Sequence, residues 1–208
     1  MNSKCRGIVI KRIDVGEADR LLVIFTDTLG KITARAKGIK KGLSRLAGHL
    51  EPYQVVSLWL HEGNRGNQIP LLIGAELLET FPSISSSLKK TGLAFYFGEL
   101  VDKTISEKDP HPEIFELLVF ALRGLRPEKI HPLLVSFFEL NLLRFLGLKP
   151  PLLLLNKEPE IKKMLTGELP EVFSEEKILT IKSQAHLFLV EQVERKFKSL
   201  EFLQKIKI

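Results

Sequence analysis

Lys31, Arg35, Lys37, Lys40, Lys41 and Arg45 fall within fifteen residues, KITARAKGIKKGLSR, with no acid among them. Cations at that density repel one another unless an anion or an extended conformation relieves them, and a phosphate backbone is the anion that meets many at once. The first half of the segment alternates strictly, Ile32, Ala34 and Ala36 against Lys31, Thr33, Arg35 and Lys37. A period of two is a strand with one apolar and one cationic face, and Gly38 and Gly42 let the chain bend after it. The competing reading is a solvated patch that aids solubility.

The charge excess is local: residues 1–80 carry twelve Lys/Arg against eight Asp/Glu, most of the formal net charge of +6. With a sequence pI near 9.4, the chain should seek nucleic acid or an anionic membrane. Nothing in it has the pattern of a lipid anchor or a basic amphipathic N-terminus, so nucleic acid is expected and a membrane is not.

Other chemistries find less support. Asp14, Glu17 and Asp19 are close enough to hold Mg²⁺ for phosphodiester hydrolysis, but they flank a turn beside Arg20, where Asx bonds and a local ion pair explain them. The histidines, His49, His61, His111, His131 and His186, form no HxH or HExxH pair, and a lone cysteine, Cys5, rules out an internal disulfide. No G-x-x-x-x-G-K-[ST] phosphate loop occurs, and Gly38 to Gly42 lacks the spacing of a dinucleotide turn. The expectation is a binding protein without catalytic residues, metal or cofactor. Tyr53 and Trp59 share one face of a strand, with core packing as the first reading and stacking of bases as the second.

The elements that position these residues change character once along the chain. From Arg6 to about Phe81 the sequence reads as five strands: Ile8 and Ile10 alternating with Val9 and Lys11, Arg20 to Thr26, a third after the corner Leu29-Gly30-Lys31, Tyr53 to His61, and Gln68 to Glu79 with Pro70 near its start. Between the third and fourth, Gly42 to Pro52 suits a short helix capped by Ser44 and ended by Pro52. Three strands, a short helix and two strands is the order of the OB-fold, a five-stranded barrel that offers a strand face and loops to oligonucleotides. Fold alone does not fix function.

After Pro82 the period becomes helical, with Leu93, Phe97, Leu100, Val101 and Ile105 at three- and four-residue spacings. Helices are expected over Ser83 to Ser106, Pro112 to Leu125, Pro132 to Leu148 (the buried centre, with Phe137, Phe138, Leu140 and Leu143) and Lys182 to Ile206. The apolar set of the last is Ala185, Leu189, Val193, Phe197, Leu200 and Leu203. Lys149 to Glu176 reads as irregular. The expected fold is α+β, a barrel over 1–81 and a helical domain over 82–208. MNSKCRGIVIKR has no small-residue cleavage site, and no apolar run nears the roughly 20 residues that span a bilayer, so a cytoplasmic protein is expected.

Gly16 to Leu22 (GEADRLL), Phe25-Thr26, Gly30-Lys31, Ala36-Lys37-Gly38, Ser44 to Pro52 (SRLAGHLEP) and Ala75 to Phe81 (AELLETF) occur in order and resemble the RecO family of bacterial recombination mediators. Weaker similarity continues to Lys198-Ser199 and Phe202-Leu203. The resemblance implies an OB domain joined to a helical domain, in a protein that binds single- and double-stranded DNA without making or breaking a covalent bond. It implies annealing of complementary strands coated with single-strand-binding protein (SSB), capture of the acidic SSB tail, and action with RecR to load RecA, with RecF and RecA as indirect partners at the nucleoid. Lys37 and Arg45 inherit the family's DNA contacts by position. Lys31, Arg35, Lys40 and Lys41 join them from charge and placement.

Many relatives carry a four-cysteine zinc lobe where Leu152 to Glu176 here holds no Cys or His, which implies a lobe held by packing alone. The SSB tail ends in acidic and apolar residues, so its pocket should pair a cation with an apolar groove, near Arg123, Arg126 or Arg144. An OB-type RNA-binding or translation-associated factor, a metal-dependent nuclease and a pure protein scaffold are the competing functions.

Overall fold

A computed structural model describes residues 2–40, 47–62, 69–150, 159–171, 174–193 and 197–205. Five strands, β1 (Asn2–Val15), β2 (Asp19–Thr26), β3 (Gly30–Ala36), β4 (Val55–His61) and β5 (Leu71–Glu79), close into a barrel in the order β1-β2-β3-β5-β4. This is the OB-fold. Every pairing is antiparallel except the seam, where Arg35 lies beside Leu71 in parallel and donates its N–H to the Pro70 carbonyl at 2.8 Å. β1 serves two neighbours, β4 with its first half and β2 with its second, and a bulge between Val9 and Lys11 bends it from one to the other. Inside the barrel lie Val9, Leu22, Ile24, Ile32, Ala34, Ala36, Val56, Leu58 and Leu60, so the alternation read along β3 puts its apolar face inward. Gly7 makes the closure possible, since a Cβ there would stand 2.6 Å from Leu58 and 2.7 Å from Ile24.

Between β3 and β4 a 3₁₀ turn occupies Ala47–His49, followed by Leu50, which plugs the barrel. The expected capping Ser44 lies outside the described residues, as does Gln68, the expected start of the fifth strand. Tyr53 was expected in β4 but precedes it. Its backbone sits at φ +62° and its ring is buried, because the chain turns there to bring the ring onto the helices.

Helices follow as α1 (Pro82–Ser85), α2 (Leu88–Thr104), α3 (Pro112–Arg123), α4 (Leu134–Phe145), α5 (Pro159–Leu165), α6 (Glu175–Gln192) and α7 (Lys198–Lys205). No helix among the described residues is long and apolar enough to cross a membrane. The region expected as one helix from Ser83 breaks at Ser87, whose hydroxyl caps α2, and Leu93, Phe97, Leu100, Val101 and Ile105 are buried as their spacing implies. The stretch expected as irregular contains α5. It is held by burial of Ile161 and Met164 and by Asn141 of α4, whose Nδ2 donates to the Met164 carbonyl at 2.9 Å. The last helix was expected to be continuous but is two. Glu99 of α2 accepts the N–H groups of Lys198 (3.0 Å) and Ser199 (2.8 Å), so a side chain from another element caps a new helix start. Gly92 lets α7 lie close on α2, its absent Cβ leaving room for Leu203 and Phe202.

Barrel and helices share one core. Ile8, Ile10, Phe25, Tyr53 and Val55, on the outer side of the barrel, belong to the same buried cluster as the apolar residues of α2, α3 and α4. The Phe25 and Phe115 rings lie 6.1 Å apart, and Tyr53 fills the space left by Gly98. Lys31, expected as an exposed DNA contact, is directly opposite Phe25 in the ladder and is therefore covered too. It is 9% exposed, its ammonium donating to the Asp102 carbonyl oxygen and meeting the Asp102 carboxylate at 3.2 Å. It clamps barrel to helices instead of facing solvent. Arg6 adds a second clamp, bridging Asp27 (2.9 Å) and Glu116 (2.6 Å).

Replacing Lys31 by Met should lower the unfolding free energy by about 1–3 kcal/mol, since the Asp102 acceptors lose their donor beneath the helices. Urea denaturation checks it, and an unchanged midpoint contradicts the clamp. The Glu99 carboxylate is disfavoured by burial, yet Lys103 at 2.7 Å and the Ser199 and Lys198 donors overcome this and bring its pKa to about 2. Its stabilisation is complete above the ordinary value of 4.5 and fades as pH falls toward about 2. Glu99→Gln should flatten the loss of stability across that window, measured as urea midpoint against pH; an identical acid slope in the variant rules this out.

Candidate nucleic-acid interface

At the far end of β3 the outer face leaves the helices and becomes exposed at Arg35 and Lys37. Two acids that flank the β1–β2 turn, Asp14 and Asp19, meet the segment. Arg35 directs Nε and Nη2 to Asp19 Oδ2 at 3.0 and 2.8 Å, and the other oxygen of Asp19 accepts the Gly38 N–H at 2.8 Å. That N–H first, and then Arg35, holds the Asp19 carboxyl below its usual range. Gly38 takes φ +65°, a left-handed turn that favours glycine, and the next residue, Ile39, drops into the barrel core.

Lys40 completes the staple. Its N–H donates to the Ala18 carbonyl at 3.0 Å, and its ammonium approaches Gly16 O (3.4 Å) and Asp14 Oδ2 (3.3 Å). Asp14 also accepts Arg20 Nε at 2.7 Å, and its carboxyl is held down by Arg20 and then by Lys40. The acids read in sequence as a turn with a local ion pair are therefore in use, and no cluster among the described residues has the donors to hold a metal ion. Lys37 is exposed; its charge also acts on Asp19, but no close ion pair holds it among the described residues. Lys41 and Arg45 lie outside them.

The described cations thus sort into three states: Lys31 buried and clamped, Arg35 and Lys40 paired at the surface, Lys37 open. Arg35 and Lys40 keep 46% and 28% of their side chains in solvent while paired, so a phosphate can approach both and compete with the acids. Asp19 would keep the turn in place through Gly38 even after releasing Arg35.

The two aromatics on the expected fourth strand part company. Tyr53 is in the core, edge-on to Phe95 at 5.2 Å, and burial pushes its hydroxyl pKa upward. Trp59 is on the outside of β4, half-buried, with the Lys4 ammonium 4.7 Å from its ring centroid.

The three arginines expected beside the SSB-tail pocket do not converge. Arg123 grips Glu79 through two bonds of 2.8 Å, Arg126 reaches the same carboxylate at 2.7 Å, and together they tie the end of β5 to α3. Arg144 is exposed on α4, stacked over Phe145 at 4.2 Å. A cavity of about 340 Å³ lies elsewhere, between α2, α4, α6 and α7, lined by apolar Leu93, Val135 and Leu203, by Lys89, Lys182 and His186, and by the carboxylate of Glu139. Burial and then Lys89 depress the Lys182 pKa, while Glu139, 3.4 Å away, raises that of His186. Sequence reasoning missed it because its cations come from separate helices; the visible signal was the spacing of four between Lys182 and His186, which places them on one helix face.

Comparison with known proteins agrees with this architecture. Residues 1–81 match the family model described as "Recombination protein O N terminal", and residues 85–153 match "Recombination protein O C terminal". The chain is 38% identical over 151 residues to a DNA repair protein RecO of Dehalococcoides mccartyi, covering 72% of this chain and 58% of that one. It is 33% identical over 150 residues to that of Anaeromyxobacter dehalogenans (72% and 59%). Against that of Syntrophomonas wolfei the identity is 33% over 165 residues (78% and 65%). The chain spans about 58–65% of the length of these curated relatives. With both family models matched in order, across the barrel and the first helices, the chain belongs to the RecO family.

Proposed function

We propose that this protein acts in DNA repair and recombination as a strand-annealing mediator. It binds single- and double-stranded DNA through the phosphate backbone, pairs complementary strands coated with SSB, and with RecR promotes RecA loading. The observation that carries this reading is the turn at Lys37 to Lys40, held out from the barrel end by the Asp19 bond to Gly38. There Lys37 is exposed, and Arg35 and Lys40 remain partly in solvent while paired to Asp19 and Asp14. Lys41 and Arg45 continue the segment in sequence.

The work needed is electrostatic. Two complementary strands repel along their whole length, and cations between them lower that repulsion while base pairing supplies the specificity. No bond is made or broken, so the protein needs no nucleophile, metal or cofactor. SSB enters through its acidic, apolar-ended tail, for which the cavity rimmed by Lys89 and Lys182 offers both chemistries. Arg123 and Arg126 are less suited, being committed to Glu79.

One assay separates the parts: annealing of complementary oligonucleotides, bare and SSB-coated. Lys37→Glu with Arg45→Glu should slow annealing on both by on the order of tenfold or more, with the circular dichroism of the folded protein retained. Lys89→Ala with Lys182→Ala should slow it on coated strands alone. A folded charge-reversal variant that anneals at the wild-type rate refutes the site, and equal rates on coated strands for the lysine pair refute the tail pocket.

A further inference from the structure

The chain has one tryptophan, and it is outside the core. Trp59 stands between Leu58 and Leu60, whose side chains fill the barrel, so alternation turns the indole to the outer face of β4. The surface beneath is shaped for it. Gly74 is directly opposite on β5, and a Cβ there would approach the indole at 3.3 Å, so glycine lets the ring lie down on the sheet. The register shifts between Trp59 and Leu60, leaving Ile73 as the extra residue beside the ring, 48% exposed. A bulge that re-aims a side chain next to a half-buried aromatic is a device found at binding surfaces. Across the other ladder is Lys4, its ammonium 4.7 Å from the ring centroid.

This patch is joined to the basic corner. Leu71 pairs with His61 on one side and with Arg35 on the other, so the end of β4 and the end of β3 are two strand spacings, about 10 Å, apart. A few nucleotides bridge that span. Glu62 and Glu76 bound the patch at its other margins, both exposed.

We propose that Trp59 is a base-stacking site for single-stranded DNA, one unpaired base lying on the indole while its neighbouring phosphates reach Arg35 and Lys37. The Lys4 ammonium leaves the ring for a phosphate as the base arrives; an exposed cation–π contact is the weaker of the two interactions. A duplex keeps its base faces inside the stack, so this ring distinguishes single from double strands, which the phosphate-binding corner does not. The proposal rests on the reading of the protein as a DNA binder and adds its preference for unpaired strands.

Because Trp59 is the sole tryptophan, its own emission reports the contact. A thymidine oligonucleotide of about 16 nucleotides, the upper site size of an OB fold, should quench it at saturation, and a duplex of that length should not. Trp59→Ala should raise the Kd for the oligonucleotide about tenfold with duplex affinity unchanged, and Trp59→Phe should retain most of the affinity. Equal emission in the two saturated complexes, or single-strand affinity unchanged in folded Trp59→Ala, overturns the proposal. If Trp59→Ala does not fold, the wild-type quenching and Trp59→Phe decide. Lys37→Glu, run in parallel, tests the parent reading separately: it should weaken both ligands, and if it weakens neither while quenching persists, the corner is wrong and the stacking site stands.

Discussion

Burial of the outer β1–β2 face beneath α2 and α3 governs the rest of the molecule. Ile8 and Phe25 are apolar on the side of the barrel that would otherwise face water, and only the helices can cover them. Once covered, the strand beside them is divided. Lys31, opposite Phe25, goes under and must find Asp102, because a buried ammonium without a partner is strongly disfavoured. Arg35 and Lys37, a few residues on, emerge past the edge of the helices. The same docking fixes Tyr53 as core and recruits Glu79 to Arg123 of α3 and Arg126 just beyond it.

What emerges is ordered without being rigidly neutralised. Asp19 is the central residue, one oxygen on the Gly38 N–H and the other on Arg35. The first bond shapes the turn, and the second is a surface pair that a phosphate can replace. Holding cations through pairs in which the cation itself stays in solvent keeps the turn ordered in the absence of a polyanion while leaving its charge available. A buried salt bridge would hold the turn more firmly and lose that availability.

Period-two and period-three-to-four patterns carried most of the fold into view. Ile32, Ala34 and Ala36 point inward, five strands close the barrel, and the spacing from Leu93 to Ile105 marks the buried side of α2. What periodicity cannot tell is which element lies over a face. Lys31 and Arg35 have the same parity on β3 and opposite fates, because the helix that separates them is about seventy residues away in sequence. The break before α7 was hidden for the same reason, its cap being Glu99 of α2. Arg123 and Arg126 read as cations for an acidic-tail pocket, but β5 brings Glu79 to them, and the cavity at Lys89 and Lys182 joins separate helices. The outward place of Trp59 follows from local alternation: Leu58 and Leu60 occupy the interior, so the position between them turns outside and core packing, its first reading, does not apply.

The central claim is that one cationic strand face divides into a structural part and a DNA-facing part. The salt dependence of single-strand binding tests it most directly, comparing wild type with Lys37→Gln and Lys31→Met at a temperature where all are folded. The account predicts that Lys37→Gln lowers the magnitude of the log K against log salt slope by about 0.7, the single-strand value for one phosphate contact, and that Lys31→Met leaves it unchanged. A slope reduced as much by Lys31→Met as by Lys37→Gln, or moved by neither, contradicts it.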